Sequence, residues 1–152
     1  MSTTEASLSV SSLERLVPLP GYQTVPIEQG FNWSQALSGC EVEDWYLVVF
    51  RSVRREDLDV QALAHHDGLA FAEAAKIGGL LMYFKGDANS TAECLSFCLW
   101  EQREQARQAI GLPEHAKAAK RTKHWYRWFQ IERYSLRKRA WETDPEFVRL
   151  TD

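Results

Sequence analysis

Two short runs carry side chains able to do chemistry. In "GLPEHAKAAK" (111–120), Pro113 stands two residues before His115. Proline is at home in the first turn of a helix, where its missing N–H costs nothing. The run therefore reads as the end of one helix near Gly111 and the start of another, with His115 in the new first turn. Unpaired backbone N–H groups and the positive end of the helix dipole disfavour imidazolium there. A neutral ring near pH 7 suits a general base or a hydrogen-bond donor to a carbonyl. The same residue would also serve as a packing or capping histidine.

In "LAHHDGLAF" (63–71), helical spacing puts Asp67 inside an apolar arc with Leu63, Ala70, Phe71 and Ala74. His66 falls at the edge of that arc, and His65 points away. A carboxylate facing a core needs a partner or a raised pKa. Asp67 could orient a histidine or act as a base; bound to a tryptophan N–H or tyrosine O–H it would be structural. His65 and His66 diverge, and no Cys/His cluster has ligand spacing, so no metal is expected. Tyr83, Trp100, Phe71 and Trp128 are candidate walls for an apolar cavity around these groups. Cys94 and Cys98 sit on a strand pattern about 13 Å apart, too far for a disulfide, and read as small buried hydrophobes. With Cys40 they make an odd, low count that fits a reducing, cytoplasmic setting.

The elements that must hold these residues are legible from residue 43. "DWYLVVFRSV" (44–53) reads as a strand, 57–78 as a helix capped by Asp57 or Asp59 and closed by Gly78-Gly79, and 80–86 as a second strand. A third strand spans 92–101, helices span 102–110 and 113–121, and a last strand spans 124–138. The order β-α-β-β-α-β is the ferredoxin-like arrangement, an α+β protomer with both helices on one sheet face. On the third strand Leu95, Phe97 and Leu99 face one way; Cys94, Ser96, Cys98 and Trp100 face the other. An aromatic face left bare is unusual in a monomer, so a homodimer through the face bearing Cys94, Ser96, Cys98 and Trp100 is expected. Residues 1–12 are Ser/Thr-rich and read as a disordered arm. Residues 13–42 are broken by prolines and glycines yet apolar, and are expected to pack on the barrel domain (43–140), with Asn32 capping a short helix. Residues 141–152 read as a polar tail.

Composition narrows the classes. The chain has 152 residues, 45% of them hydrophobic, and a net charge of -3. A global pull toward nucleic acid is not expected, nor is a membrane span or a secretory leader. No flavin or nicotinamide loop and no nucleophile elbow is present, so no cofactor is expected.

Over residues 43–138, the element order, a third strand ending in "LWE", and the runs "REQARQA" and "LPEHAKAA" resemble the dimeric α+β barrel superfamily. That superfamily includes antibiotic-biosynthesis monooxygenases that need no cofactor, plant-type polyketide cyclases, EthD-like proteins and haem-binding branches. The resemblance implies a homodimer with a ligand cavity between sheet and helices. It implies a cofactor-independent enzyme of secondary metabolism that acts on an aromatic or polyketide-like molecule by proton transfer, in cyclisation, isomerisation or oxygenation. His115 occupies the place of the cyclases' catalytic histidine, but the tyrosine they carry six residues earlier is Ala109 here. A non-catalytic binding or stress-associated protein, and a haem protein with His66 or His115 as axial ligand, are the alternatives.

Overall fold

The computed structural model describes residues 13–38, 43–139 and 144–151. Five strands, β1 (Glu43–Arg54), β2 (Leu80–Lys85), β3 (Glu93–Trp100), β4 (Tyr126–Lys138) and β5 (Glu146–Leu150), form one antiparallel sheet in the order β2-β3-β1-β4-β5. β1 is the densest run of aromatic and β-branched residues and lies at the centre, paired with β3 from Tyr46↔Trp100 and with β4 from Glu43↔Lys138. Short helices α1 (Ile27–Gly30) and α2 (Trp33–Ala36) precede the sheet. The long helix α3 (Val60–Ile77) joins β1 to β2; α4 (Arg103–Ile110), α5 (Pro113–Lys120) and the single turn α6 (Thr122–Trp125) join β3 to β4.

The helix ends are set by local chemistry. Asp59 Oδ1 accepts the Ala62 N–H at 3.0 Å, and Gly78 and Gly79, at φ +89° and +86°, end α3 as only glycine does cheaply. Gln102 and Gln105 cap α4 reciprocally. Gly111 closes α4 and Pro113 opens α5, the break that the sequence suggests.

Three expectations about local elements are corrected. Residues 122–125 form a helical turn, so the last long strand begins at Tyr126. The tail holds a fifth strand: "EFVRL" pairs with the outer edge of β4 from Arg137↔Glu146 to Arg133↔Leu150. Its alternation places Phe147 in one core and Leu150 in the other. Asn32 makes no helix cap; its side chain instead accepts the Val17 N–H at 2.7 Å and donates to Arg15 O at 3.0 Å, pinning two turns of the chain together. The proposed arm at 1–12, Cys40 and residues 140–143 lie outside the described residues.

The largest correction concerns what covers the sheet. The face bearing Trp45, Leu47, Val49, Leu95, Phe97, Leu99 and Leu136 is buried under residues 13–37 of the same chain. Ile27, Ala36 and Leu37 are fully buried, and Phe31 packs within 5.0–5.7 Å of the rings of Tyr22, Trp33, Phe84 and Phe97. The Trp33 indole N–H donates to Ile27 O at 2.9 Å, so the burial leaves no orphan donor there. Arg51 clamps the segment down: its Nη1 and Nη2 donate to Gln23 O and Val25 O while its Nε pairs with Glu132 Oε2 at 2.7 Å. The opposite face, with Cys94, Ser96, Cys98 and Trp100, is the helix side. Trp100 is 3% exposed and packs with Tyr46, Ala106 and Ala109 under α4. Trp100 and Cys94 are therefore covered within the chain itself. The face opposite, which needed a cover, has one built in.

Trp33→Ala should lower the unfolding free energy by about 3–5 kcal/mol, as other large-to-small core substitutions do, and should admit protease inside residues 20–35. A change under about 1 kcal/mol in urea unfolding, with that segment still protected, would mean the segment lies outside the cooperative core.

Candidate functional site

The helix side of the sheet is covered unevenly. α3 rests on β2, α4 and α5, and Leu63 is its one buried residue among those described. Phe71 on α3 and Phe129 and Ile131 on β4 stay substantially exposed. Between them part of this sheet face stays open, and aromatic rings line it. The Phe71 ring stacks on Tyr83 at 5.3 Å, and the Phe50 ring lies 5.3 Å from Tyr126 and 5.7 Å from Phe129.

Tyr126 reaches this face because of a bulge. β1 and β4 pair Val53↔Trp128 and then Arg54↔Tyr126, so Arg127 is an extra residue. One extra residue moves every side chain beyond it to the other face. Without it, Tyr126 would point with Trp128 toward the N-terminal segment.

Asp67 projects from α3 toward these groups. Burial is the main cause that raises its pKa above 3.8; the positive charges of Lys85, Arg54 and His66 oppose the shift without cancelling it. The Tyr83 and Tyr126 hydroxyls are pushed well above the usual phenol range, by burial first and then by the charge of Asp67. Both therefore stay protonated and available as donors. The Cys98 thiol is pushed up to about 12 by burial and Asp67, and that of Cys94 is raised while its Sγ donates to Gly86 O. Neither thiol is a nucleophile near neutral pH. The helix side of the sheet thus holds a carboxyl group able to exchange a proton beside two phenolic donors.

The residues singled out in the sequence divide among several places. Asp67, Tyr83 and Phe71 come together on this face. His66 flanks them with its ring 5.6 Å from Trp125 and its Nδ1 buried without a hydrogen-bond partner. His115 sits on α5 against Glu73, whose position on α3 is about 120° around the helix from Asp67. Its pKa is lowered, by burial rather than by the helix terminus, and Glu73 acts against the shift. Glu73 Oε1 also accepts the Glu114 N–H at 2.8 Å and so supplies the negative charge that the start of α5 favours. Trp100 is a core residue rather than a cavity wall. Trp128 faces the other side of the sheet, where it lines a cavity of about 450 Å³ with Gln23–Pro26, Arg51 and Glu132. There Glu132 already accepts from Arg51, Gln130 and Tyr134, which marks a structural clamp. Sequence reasoning missed Tyr126 and Arg54, because a bulge leaves no mark in residue spacing. Among the described residues no group of three or more His, Cys, Asp or Glu could hold a metal, and no helix is long and apolar enough to cross a membrane.

A family model described as PB2B2.08-like matches residues 1–148. Among curated proteins none matches. Solved structures resemble the fold. SnoaB, a cofactor-independent oxygenase from Streptomyces nogalater, shares 12% identity at a TM-score of 0.51, over 66% of this chain and 99% of that one. A Nitrosomonas europaea protein described as an antibiotic biosynthesis monooxygenase shares 11% at 0.51, over 60% and 88%. Rv0793 from Mycobacterium tuberculosis shares 16% at 0.51, over 59% and 91%. These likenesses establish the ferredoxin-like α+β fold.

The ionisation of the two acid–base candidates should be visible in stability. Folded Asp67 holds its proton where the unfolded chain has lost it, so stability falls as pH rises from 3.8 through the raised value. Asp67→Asn should therefore be more stable than the parent at pH 7, with the difference closing as pH drops toward 3.8. His115 has the opposite sign: the unfolded chain binds its proton more readily, so stability is lost as pH falls from 6.5 through the lowered value. His115→Gln should lose less stability over that window. Thermal melts from pH 4 to 8 read both slopes, and parallel curves for parent and variants would contradict them.

Proposed function

The chain belongs to the PB2B2.08-like family, and we propose that it is a cofactor-independent enzyme of secondary metabolism acting on a small aromatic or polyketide-like molecule. The observation that carries this reading is Asp67, a carboxyl group held in apolar surroundings beside Tyr83 and Tyr126. A raised carboxylate pKa moves a weak base toward the pH at which proton abstraction is efficient. A planar substrate stacks on Phe71 or between Phe50 and Phe129. Asp67 takes a proton from an acidic C–H or O–H. The Tyr83 and Tyr126 hydroxyls donate to the oxygen on which negative charge grows. The resulting enolate or phenolate is the shared precursor of isomerisation, ring closure and reaction with dioxygen. His66 acts through Asp67 by its nearby charge, and His115 takes no part.

Cytoplasmic location and homodimerisation belong to the same reading. The dimer rests on the superfamily resemblance. Native mass spectrometry should give twice the chain mass at micromolar concentration; a monomer would remove it.

The enzyme reading is tested with a panel of fused-ring phenols and their keto tautomers, followed by absorbance and oxygen uptake. Asp67→Asn should lower turnover by about 10²–10⁴-fold, the usual worth of a general base. For the parent, kcat should rise with pH through the raised Asp67 value. Panel members that bind but turn over no faster with the parent than with Asp67→Asn would reduce the protein to a binding module.

A further inference from the structure

One stretch of the sheet's rim has no partner. β5 pairs with β4 only from Arg133 to Arg137, and α6 ends at Trp125. Between those limits, residues 126–132 pair with β1 on one side alone. Their outward N–H and C=O groups meet no other backbone group among the described residues. Such an edge is a template for another strand.

The side chains of this stretch are as open as its backbone. Trp128, Phe129 and Ile131 are 48%, 43% and 40% exposed, and no other four-residue stretch of the described chain exposes three large apolar side chains. Trp128 lies on the face of the N-terminal segment, Phe129 and Ile131 on the helix face. β2, at the other edge, differs: its Leu80, Leu81, Met82 and Phe84 pack against the two cores. Natural edges are blunted by charge or proline, and residues 128–131 hold neither.

We propose that this edge is the contact with a second copy of the chain: two β4 strands pair antiparallel about a two-fold axis at Phe129, joining two five-stranded sheets into one. The length of the edge favours a copy over a foreign strand. Residue 129 is its midpoint, so the axis sets 126 opposite 132 and uses the whole stretch. An axis at Gln130 would set Arg127 against Arg133, which β5 already holds. Because the axis stands perpendicular to the sheet, opposite residues share a face. Phe129 meets the partner's Phe129, Trp128 meets the partner's Gln130, and no like charges stand opposite. The edge also pairs a knob with a hole. The cavity of about 450 Å³ is lined by Trp128, Glu132, Tyr134 and Arg149 along this edge. The partner's Trp128, opposite Gln130 and diagonal to Glu132, lies beside it. A desolvated tryptophan near the centre of a contact is a typical anchor. The inference rests on the homodimer of the functional reading, names its surface and does not depend on turnover.

Sedimentation velocity and native mass spectrometry of the full chain read the assembly. The parent should be a dimer at micromolar concentration. Ile131→Lys should weaken the dimer about tenfold and Trp128→Ala about a hundredfold, with far-UV circular dichroism unchanged. Phe129→Cys tests the register. Directly opposite Cα atoms stand about 4.5–5.5 Å apart, within disulfide reach, so mild oxidation should link this variant into a dimer. Glu104→Cys, exposed on α4, should stay unlinked. A monomeric parent overturns this interface and the homodimer together, while turnover of the phenol panel by that monomer leaves the enzyme reading standing. A dimer that both Ile131→Lys and Trp128→Ala leave intact, or in which Phe129→Cys links no faster than Glu104→Cys, overturns this interface alone. If Ile131→Lys or Trp128→Ala does not fold, the linking of Phe129→Cys decides.

Discussion

A single antiparallel sheet with two apolar faces cannot stand in water until both are covered. Everything distinctive about this molecule follows from how the two covers differ. On one side, residues 13–37 lay Ile27, Phe31, Trp33 and Leu37 onto Leu47, Val49, Leu95, Phe97 and Leu99. That cover is dense, aromatic and locked by Arg51, whose charge is balanced by a buried Glu132. Burying an ion pair is not cheap. It is tolerated because Arg51 Nε, Nη1 and Nη2 and both Glu132 oxygens have partners, and because it fixes where the segment crosses the strands.

The other cover is looser. α4 seals one end, where Trp100 and Tyr46 meet Ala106 and Ala109. α3 brings an apolar arc to the sheet but buries only Leu63 completely. A helix that touches β2 and leaves Phe129 and Ile131 exposed leaves part of that face open instead of closing a core. The dense face holds the sheet, so the helix side can leave Phe71, Phe129 and Ile131 exposed without loss of the fold.

Burial then shapes the chemistry of several titratable groups on that side of the molecule. The same desolvation raises Asp67, Tyr83, Tyr126 and Cys98 and lowers His115, because in every case it disfavours the charged form. The consequences differ by residue type. A raised carboxyl moves closer to working pH, whereas a raised thiol or phenol moves away from it. Only Asp67 is thereby made a better base, and the tyrosines become dependable donors.

Much of this could be read from the residues. Periodicity located four strands and three helices, "GLP" marked the boundary between α4 and α5, and the apolar arc singled out Asp67 beside Phe71. Those features are local: they depend on spacing, caps and the conformational limits of Gly and Pro, all written in neighbouring residues. Other features required the tertiary structure. Spacing on β3 separates Leu95, Phe97 and Leu99 from Trp100 but does not say which set meets the helices, because both faces are apolar. The five residues of β5 gain their partner only from the edge of β4. His115 sits in the helical turn that its proline predicts, and the packing of α5 on α3 brings it beside Glu73. A one-residue bulge brings Tyr126 to the helix side and leaves Arg54 across from it. The sequence alone determined which segments fold and which side chains could react; long-range packing, which no local pattern encodes, decided which of them meet.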